Sequence, residues 1–195
     1  MESNLRKSKK RSQAGFTLVE VAIVMVIIGL LIGAVLKGQA MIQNAKIKRV
    51  TKQADELRAA VMTFYDKYSS YPGDENSTVF PNGDTHNGNG DGQIAAAEAD
   101  MLFEDLQRAD IISGNFDGDG EDSIPNHAFG DKVRINWVNP GQGLNHFIQY
   151  ENLPWDVCLE IDLKYDDGVY NTGSIRANEA YVVASGPIGL FYMPL

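Results

Sequence analysis

The sequence predicts an α+β protein, with one long N-terminal helix followed by a head that contains a short helix and several strands. An apolar run covers residues 16–36, and apolar residues at helical spacing continue to about Tyr68. Short apolar segments then recur between Gly, Pro and Asn turns, without β-α-β alternation. The chain has 195 residues, and a membrane helix uses part of them. The remainder is enough for one modest globular domain.

The N-terminal segment combines a basic tail, a small-residue pair and the apolar run. The cations of the tail are Arg6, Lys7, Lys9, Lys10 and Arg11. The pair Ala14-Gly15 precedes the apolar run and no A-x-A site follows it, which does not fit a secretory signal peptide. The apolar run of 21 residues can span about 30 Å as a helix, the thickness of a bilayer core. A simple anchor does not explain Glu20, since a carboxylate in a membrane helix costs about 2.5–3.5 kcal/mol.

The segment Gly15-Phe16-Thr17-Leu18-Val19-Glu20 resembles the processing site of type IV prepilins and of type II secretion pseudopilins. The resemblance extends to about Val50. It implies that a prepilin peptidase and N-methyltransferase cuts between Gly15 and Phe16 and methylates Phe16. It also implies that Glu20 aids assembly with other pilin or pseudopilin subunits, and that the fold is pilin-like, with an antiparallel sheet on the second half of the helix.

The position of Glu20 gives this implied role a physical reason. Cleavage would create an α-amino group on Phe16, one helical turn before Glu20. In a helical stack of subunits, Glu20 of one copy can meet the amino group of another inside the apolar core. A buried carboxylate is tolerated only when it is paired, so this contact would select one axial register.

The charge is polarised along the chain. Residues 1–67 hold 12 Lys and Arg against 5 Asp and Glu, whereas residues 68–195 hold 5 against 21. A basic N-terminus stays cytoplasmic, so we expect a single pass through a bacterial inner membrane with the head outside, and then a pilus or periplasmic filament. Inner-membrane lipid is an expected partner before assembly. Nucleic acid is not expected, because the head is strongly acidic.

These observations divide the chain into four expected segments. They are a leader (1–15), a transmembrane and assembly half of the helix (16–43), an amphipathic half (44–68) and an acidic head (69–195). Gly29 and Gly33 form a G-x-x-x-G pair, which fits close helix packing and ordinary glycine use equally well. Tyr71-Pro72-Gly73-Asp74 is a stop signal after the helix.

Residues 87–98 match the pattern of a twelve-residue calcium loop. Positions 1, 3 and 5 are Asn87, Asn89 and Asp91, position 7 offers the Gln93 carbonyl, and position 12 is Glu98. The pattern predicts Ca²⁺ as a ligand, in the weak class of about 10⁻⁴–10⁻³ M because only two ligands are anionic. Asn-Gly and Asp-Gly also form metal-free turns, and this alternative stays open.

The remaining elements of the head are predicted from local patterns. A short helix is expected over residues 95–112, and residues 117–122 form a second acidic loop, expected to be solvated. The strand candidates are residues 132–138, 145–150, 157–163 and 181–184. Residues 162–168 resemble a turn of pilin-like sheets and are expected to cap a hairpin, with metal binding as the other interpretation. The apolar residues 186–195 either pack on the sheet or face another subunit.

The sequence gives little support for catalysis. His86, His127 and His146 lack metal-ligand or triad spacing, and we expect no enzyme. Cys158 is the only cysteine, so the disulfide of many major pilins is impossible; this favours a pseudopilin or minor subunit. We expect Cys158 to be a buried apolar residue.

Two function classes remain. The favoured one is a structural subunit of a type IV pilus or type II secretion filament. The alternative is a membrane-anchored, calcium-dependent adhesin or binding module that is mounted on a pilin-like helix.

Overall fold

The computed structural model of the chain describes residues 15–76 and 85–195. The helices in this part are α1 (Leu18–Tyr68), α2 (Met101–Arg108) and α3 (Trp155–Tyr165). The strands are β1 (Val133–Val138), β2 (Asn145–Pro154), β3 (Arg176–Ala177) and β4 (Pro187–Pro194), and all pair antiparallel in one sheet. A long N-terminal helix thus packs on a small antiparallel sheet, and the predicted α+β, pilin-like architecture is confirmed.

The chain divides into two compact units, with the boundary between Gln43 and Asn44. In the first unit the described residues of α1 are almost all exposed, including their large apolar side chains. Within the described part of the chain, α1 is the helix that is long and apolar enough to cross a membrane. None of the most apolar part of α1 is buried.

The second unit contains the remainder of α1 and the head. One stripe of α1 is buried there, made of Ile47, Val50, Ala54, Leu57, Ala60, Val61 and Phe64. Its spacing of three and four residues places these side chains on one helix face, against the sheet and α2. The helix ends at Tyr68 as predicted, and Ser69 follows with a φ of 59°. Pro72 then prevents the helix from resuming.

The order of the strands in the sheet is β1-β2-β4-β3. Tyr150 in β2 lies opposite Val133 in β1 on one side and Phe191 in β4 on the other. The C-terminal segment therefore supplies a central strand, in the place between β2 and β3. The sequence left open whether residues 186–195 pack on the sheet or face another subunit; in the structure residues 187–194 are a strand of the sheet itself.

The strand predicted over residues 157–163 is wrong, because this segment is the middle of α3. Apolar residues alternate along it, which is the pattern of a strand. The residues that the fold buries are instead Val157, Cys158, Ile161 and Asp162, which share one helix face. The alternation arises because Leu163 is apolar but exposed, so periodicity alone misassigned the element.

Two further predictions about the head need correction. Residues 181–184 are not a strand: Tyr181 is buried in a loop, and a single 3₁₀ turn follows at Val183–Ser185. Residues 162–168 are not a hairpin, since they are the last turn of α3 and the loop after it. The second error follows from the misassigned α3, because a helix that runs to Tyr165 leaves no strand for a hairpin at this position.

The helix predicted over residues 95–112 is too long at both ends. The α-helix occupies Met101–Arg108, and residues 96–100 form turns. Asp100 immediately precedes it, and the Asp100 carboxylate accepts a hydrogen bond from the Met101 N–H at 3.2 Å. It ends because Asp110 adopts a φ of 59°.

Candidate functional site

The first candidate site is the start of α1. Gly15, Phe16 and Thr17 precede the helix and are exposed, and Phe16 has 88 % of its surface accessible. A side-chain carbon added at Gly15 would meet no atom within 4 Å. The folded chain therefore has no need for glycine at this position, and a requirement for it would have to come from a molecule that acts on the segment.

Thr17 and Glu20 form a reciprocal cap at the N-terminus of α1. Oε2 of Glu20 accepts hydrogen bonds from the main-chain N–H and the hydroxyl of Thr17, both at 2.9 Å. The Glu20 N–H in turn donates to Oγ1 of Thr17 at 3.2 Å. This is a capping box, which satisfies two of the N–H groups that a helix start leaves open. The reading of the sequence missed the role of Thr17, although the T-x-x-E spacing signals it.

The cap places the predicted assembly carboxylate directly beside the predicted cleavage site. Glu20 is exposed within its own chain, and so are the apolar side chains that surround it, such as Val19 and Val24. A carboxylate in such a surface becomes buried whenever the apolar surface is covered. The buried carboxylate then needs a positive partner. Among the described residues of the first unit, no Lys or Arg precedes Lys37, so the partner has to come from elsewhere.

Comparison with known families bears on this segment. Residues 10–36 match the family model of the prokaryotic N-terminal methylation motif. The chain thus carries the type IV prepilin-like signal for cleavage and methylation. The motif supports a pilin-like or pseudopilin subunit, a structural class of protein that is usually non-enzymatic, with membrane anchoring through an apolar helix. No curated protein and no solved structure matches the chain significantly.

The second candidate site is the predicted calcium loop. Asn89 Oδ1 accepts a hydrogen bond from the Asp91 N–H at 2.8 Å, and Asp91 Oδ1 accepts one from the Gln93 N–H at 2.9 Å. Glu98 joins the two ends of the loop: its Oε1 accepts from the Asn89 N–H at 3.1 Å and its Oε2 from the Ala95 N–H at 2.8 Å. The predicted ligands are therefore brought together around one loop.

Two observations bear on whether this loop suits a cation. Oδ1 of Asn87 is a buried atom with no hydrogen-bond partner, as expected of an oxygen that is available to a metal. The two oxygens of Glu98, in contrast, already accept N–H groups of the loop. The donor set fits a weakly bound Ca²⁺ through oxygen ligands, and calcium binding stays a prediction.

Asp74 is a residue of this region that the sequence did not single out. Its side chain is only 1 % exposed, and its two carboxylate oxygens accept hydrogen bonds from the N–H groups of Asp91 at 3.0 Å and Gly92 at 2.8 Å. A segment near the end of α1 thus anchors the glycine-rich loop. The signal was hidden because Asp74 was assigned to the helix stop, and its partners are about 17 residues further along the chain.

A third acidic group lies at the C-terminal end of α3 and in the loop that follows it. The carboxylates of Asp162, Asp166 and Asp167 are within 4.8 Å of one another. Burial raises the pKa of Asp162, which accepts hydrogen bonds from the Tyr181 hydroxyl and the Gly168 N–H. A hydrogen bond from Thr172 lowers the pKa of Asp167. The protein itself satisfies these groups, so they serve to hold the loop after α3.

His127, His146 and Cys158 each have a separate structural role in the described part of the chain. His127 Nε2 contacts the Glu151 carbonyl at 2.7 Å, and its Nδ1 accepts from the Phe129 N–H. His146 is buried and accepts a hydrogen bond from the Ile94 N–H. Cys158 is fully buried, as predicted, and burial raises the pKa of its thiol. A neutral buried thiol is a packing residue and a poor nucleophile.

Proposed function

We propose that the chain is a structural subunit that is cleaved between Gly15 and Phe16, N-methylated on Phe16 and polymerised through α1 into a type IV pilus or a type II secretion filament. The observation that carries this proposal is a methylation motif that continues into a helix with a fully exposed apolar surface and a single capped carboxylate. No feature of the described head favours an adhesin over this function.

The exposed apolar surface of α1 requires a cover. Before assembly the hydrocarbon of the inner membrane supplies it, and after assembly the same surface of neighbouring subunits does. Removal of the leader creates the α-amino group of Phe16 next to Glu20. Pairing of that charge with a neighbour's Glu20 inside the apolar bundle compensates for two buried charges at once.

The experiment that tests this function is mass spectrometry of the N-terminal peptide in sheared surface filaments and in the cell envelope. A peptide that starts at methylated Phe16 in the sheared fraction supports a pilus subunit. The same peptide confined to the envelope supports a secretion filament. An intact leader in both fractions contradicts the proposal.

A pair of variants separates the charge of Glu20 from its capping role. Glu20→Gln removes the charge but keeps the size of the side chain and one side-chain oxygen. That oxygen can still accept a hydrogen bond from Thr17. Thr17→Val removes the hydroxyl of the cap and keeps the charge. We expect normal membrane insertion in both, and loss of filaments in Glu20→Gln alone. Wild-type filament numbers in Glu20→Gln would refute the role of the charge.

A further inference from the structure

The outer face of α3 carries an apolar stripe that the fold covers only in part. Trp155, Leu159 and Leu163 recur at intervals of four residues, which places them along one side of the helix. Trp155 and Leu159 are half-buried, whereas 63 % of Leu163 is exposed. Together with Asp156 and Glu160, they line one open groove. We call this surface the α3 groove.

The charge of the α3 groove is acidic over most of its length. Asp156 and Glu160 flank the first two apolar positions. The one cation in the lining is Lys164, at the last turn of the helix, and its ammonium group lies 5.0 Å from the centre of the Tyr165 ring. A ligand of the first two turns therefore meets two carboxylates and an apolar floor.

The second unit also presents a basic surface on α1. Lys48, Arg49 and Lys52 are exposed and lie on the side of the helix opposite the buried stripe. Lys52 pairs with Glu56 at 3.0 Å in an exposed contact. In the described part of the chain, no carboxylate lies within ion-pair distance of Lys48 or Arg49. We call these three residues the α1 basic face.

We propose that the α3 groove receives the α1 basic face of a second copy of this chain. The chemistry of the two surfaces matches, because Lys and Arg can lay their aliphatic stems along an apolar floor while their charged ends reach carboxylates at its edge. Arg49 suits Glu160 in particular, since a guanidinium can bind an exposed carboxylate through two hydrogen bonds.

The geometry of such a contact agrees with the proposed filament, on which this inference rests. The α3 groove and the α1 basic face are different surfaces of one chain, so the contact is heterologous. Heterologous contacts produce rings when the rotation closes and open helical filaments when it does not. The acidic α3 groove of one head would thus be oriented by the α1 basic face of a neighbour.

Disulfide crosslinking tests the contact in the full-length chain within assembled filaments. Arg49→Cys and Glu160→Cys are combined in one chain, and the matched control combines Arg49→Cys with Glu179→Cys, another exposed acidic position. Cys158 is buried and does not compete. We expect a ladder of subunit multiples for the first pair and none for the control. Absence of the ladder, or an equal ladder in the control, overturns the proposal. A crosslink to a protein of another mass also overturns it.

A charge exchange supplies a second test. Arg49→Glu and Glu160→Arg should each cause loss of filaments, and the combination of both should restore them. Unchanged filaments in both single variants, or no recovery in the double variant, contradict the contact. The N-terminal peptide of each variant should still begin at Phe16. If wild-type chains form no filament, the proposed function fails; if they do and the exchange has no effect, only this inference fails.

Discussion

The hydroxyl of Tyr150 donates a hydrogen bond to the main-chain carbonyl of Val50 at 3.0 Å. Tyr150 is fully buried in β2, and Val50 is part of the buried stripe of α1. The bond therefore ties the centre of the sheet to the helix across 100 residues of sequence. Burial raises the pKa of the Tyr150 phenol, so the group remains a donor.

We expect Tyr150→Phe to lower the free energy of unfolding by about 1 kcal/mol, because one buried hydrogen bond is lost. The cost should not exceed this value, since the Val50 carbonyl keeps its acceptor role inside the helix and is not left without a partner. Urea unfolding of the detergent-solubilised full chain, followed by tryptophan fluorescence, measures the change. A variant as stable as the wild type would mean that packing alone joins sheet and helix here.

A comparison of two glycines tests how closely the loop that follows α1 approaches α2. Gly73 and Gly92 have nearly equal φ angles of 84° and 83°. A side-chain carbon at Gly73 would lie 2.7 Å from the Glu98 carbonyl oxygen, whereas one at Gly92 would meet nothing within 4 Å. We expect Gly92→Ala to cost about 1 kcal/mol through backbone strain alone.

Gly73→Ala should cost clearly more, because it adds a clash with main-chain atoms to the same strain. Thermal unfolding of the two variants, measured side by side by circular dichroism, gives the difference. Equal melting temperatures would contradict the close approach of residue 73 to Glu98.

The stability of the head should fall in mild acid because of His146. Burial lowers the pKa of His146 to about 4, from an ordinary value of 6.5. Its Nε2 accepts a hydrogen bond from the Ile94 N–H and must stay unprotonated to do so. The unfolded chain protonates His146 more readily than the folded chain does. The stability that neutral His146 contributes is therefore complete above pH 6.5 and is lost as the pH falls towards 4. It amounts to at most about 3 kcal/mol.

His146→Gln is the matched control for this effect, because a Gln side chain can accept from Ile94 without titrating. The free energy of unfolding is measured at pH 7.5 and pH 4.5 for both chains. The decrease should be smaller in the variant, whereas His127, whose pKa burial also lowers, contributes equally to both. An equal decrease in the two chains would assign the acid sensitivity to other groups.

Calcium should stabilise the full chain if residues 87–98 bind it. At ten times the dissociation constant, which is about 1–10 mM for this weak class of site, binding adds about 1.4 kcal/mol to the free energy of unfolding. Asp91→Asn removes one anionic ligand and retains an oxygen for the Gln93 N–H. Asp117→Asn is the control, since Asp117 belongs to the other acidic loop and accepts from Ser123.

The rise of melting temperature with millimolar Ca²⁺ should disappear in Asp91→Asn and persist in Asp117→Asn. No rise in the wild type, or an equal rise in all three chains, would leave these residues as a metal-free turn.

The sequence by itself determined the features that depend on residues close to one another in the chain. The processing motif, the apolar run, the end of α1 at Tyr68 and the first two strands follow from residue types at fixed spacing. Such patterns are reliable because an amphipathic helix or a membrane segment must expose or bury the same face over many residues. The cap between Thr17 and Glu20 was equally readable from its spacing.

Only the tertiary structure decided the rest of the head. The alternation in residues 157–163 indicated a strand, but the helix forms because the core accepts Val157, Cys158 and Ile161 on one side. The segment Pro187–Pro194 became a central strand because it could pair with both β2 and β3, partners distant in sequence. Burial and strand pairing depend on which distant residues meet, and a local pattern cannot contain that information.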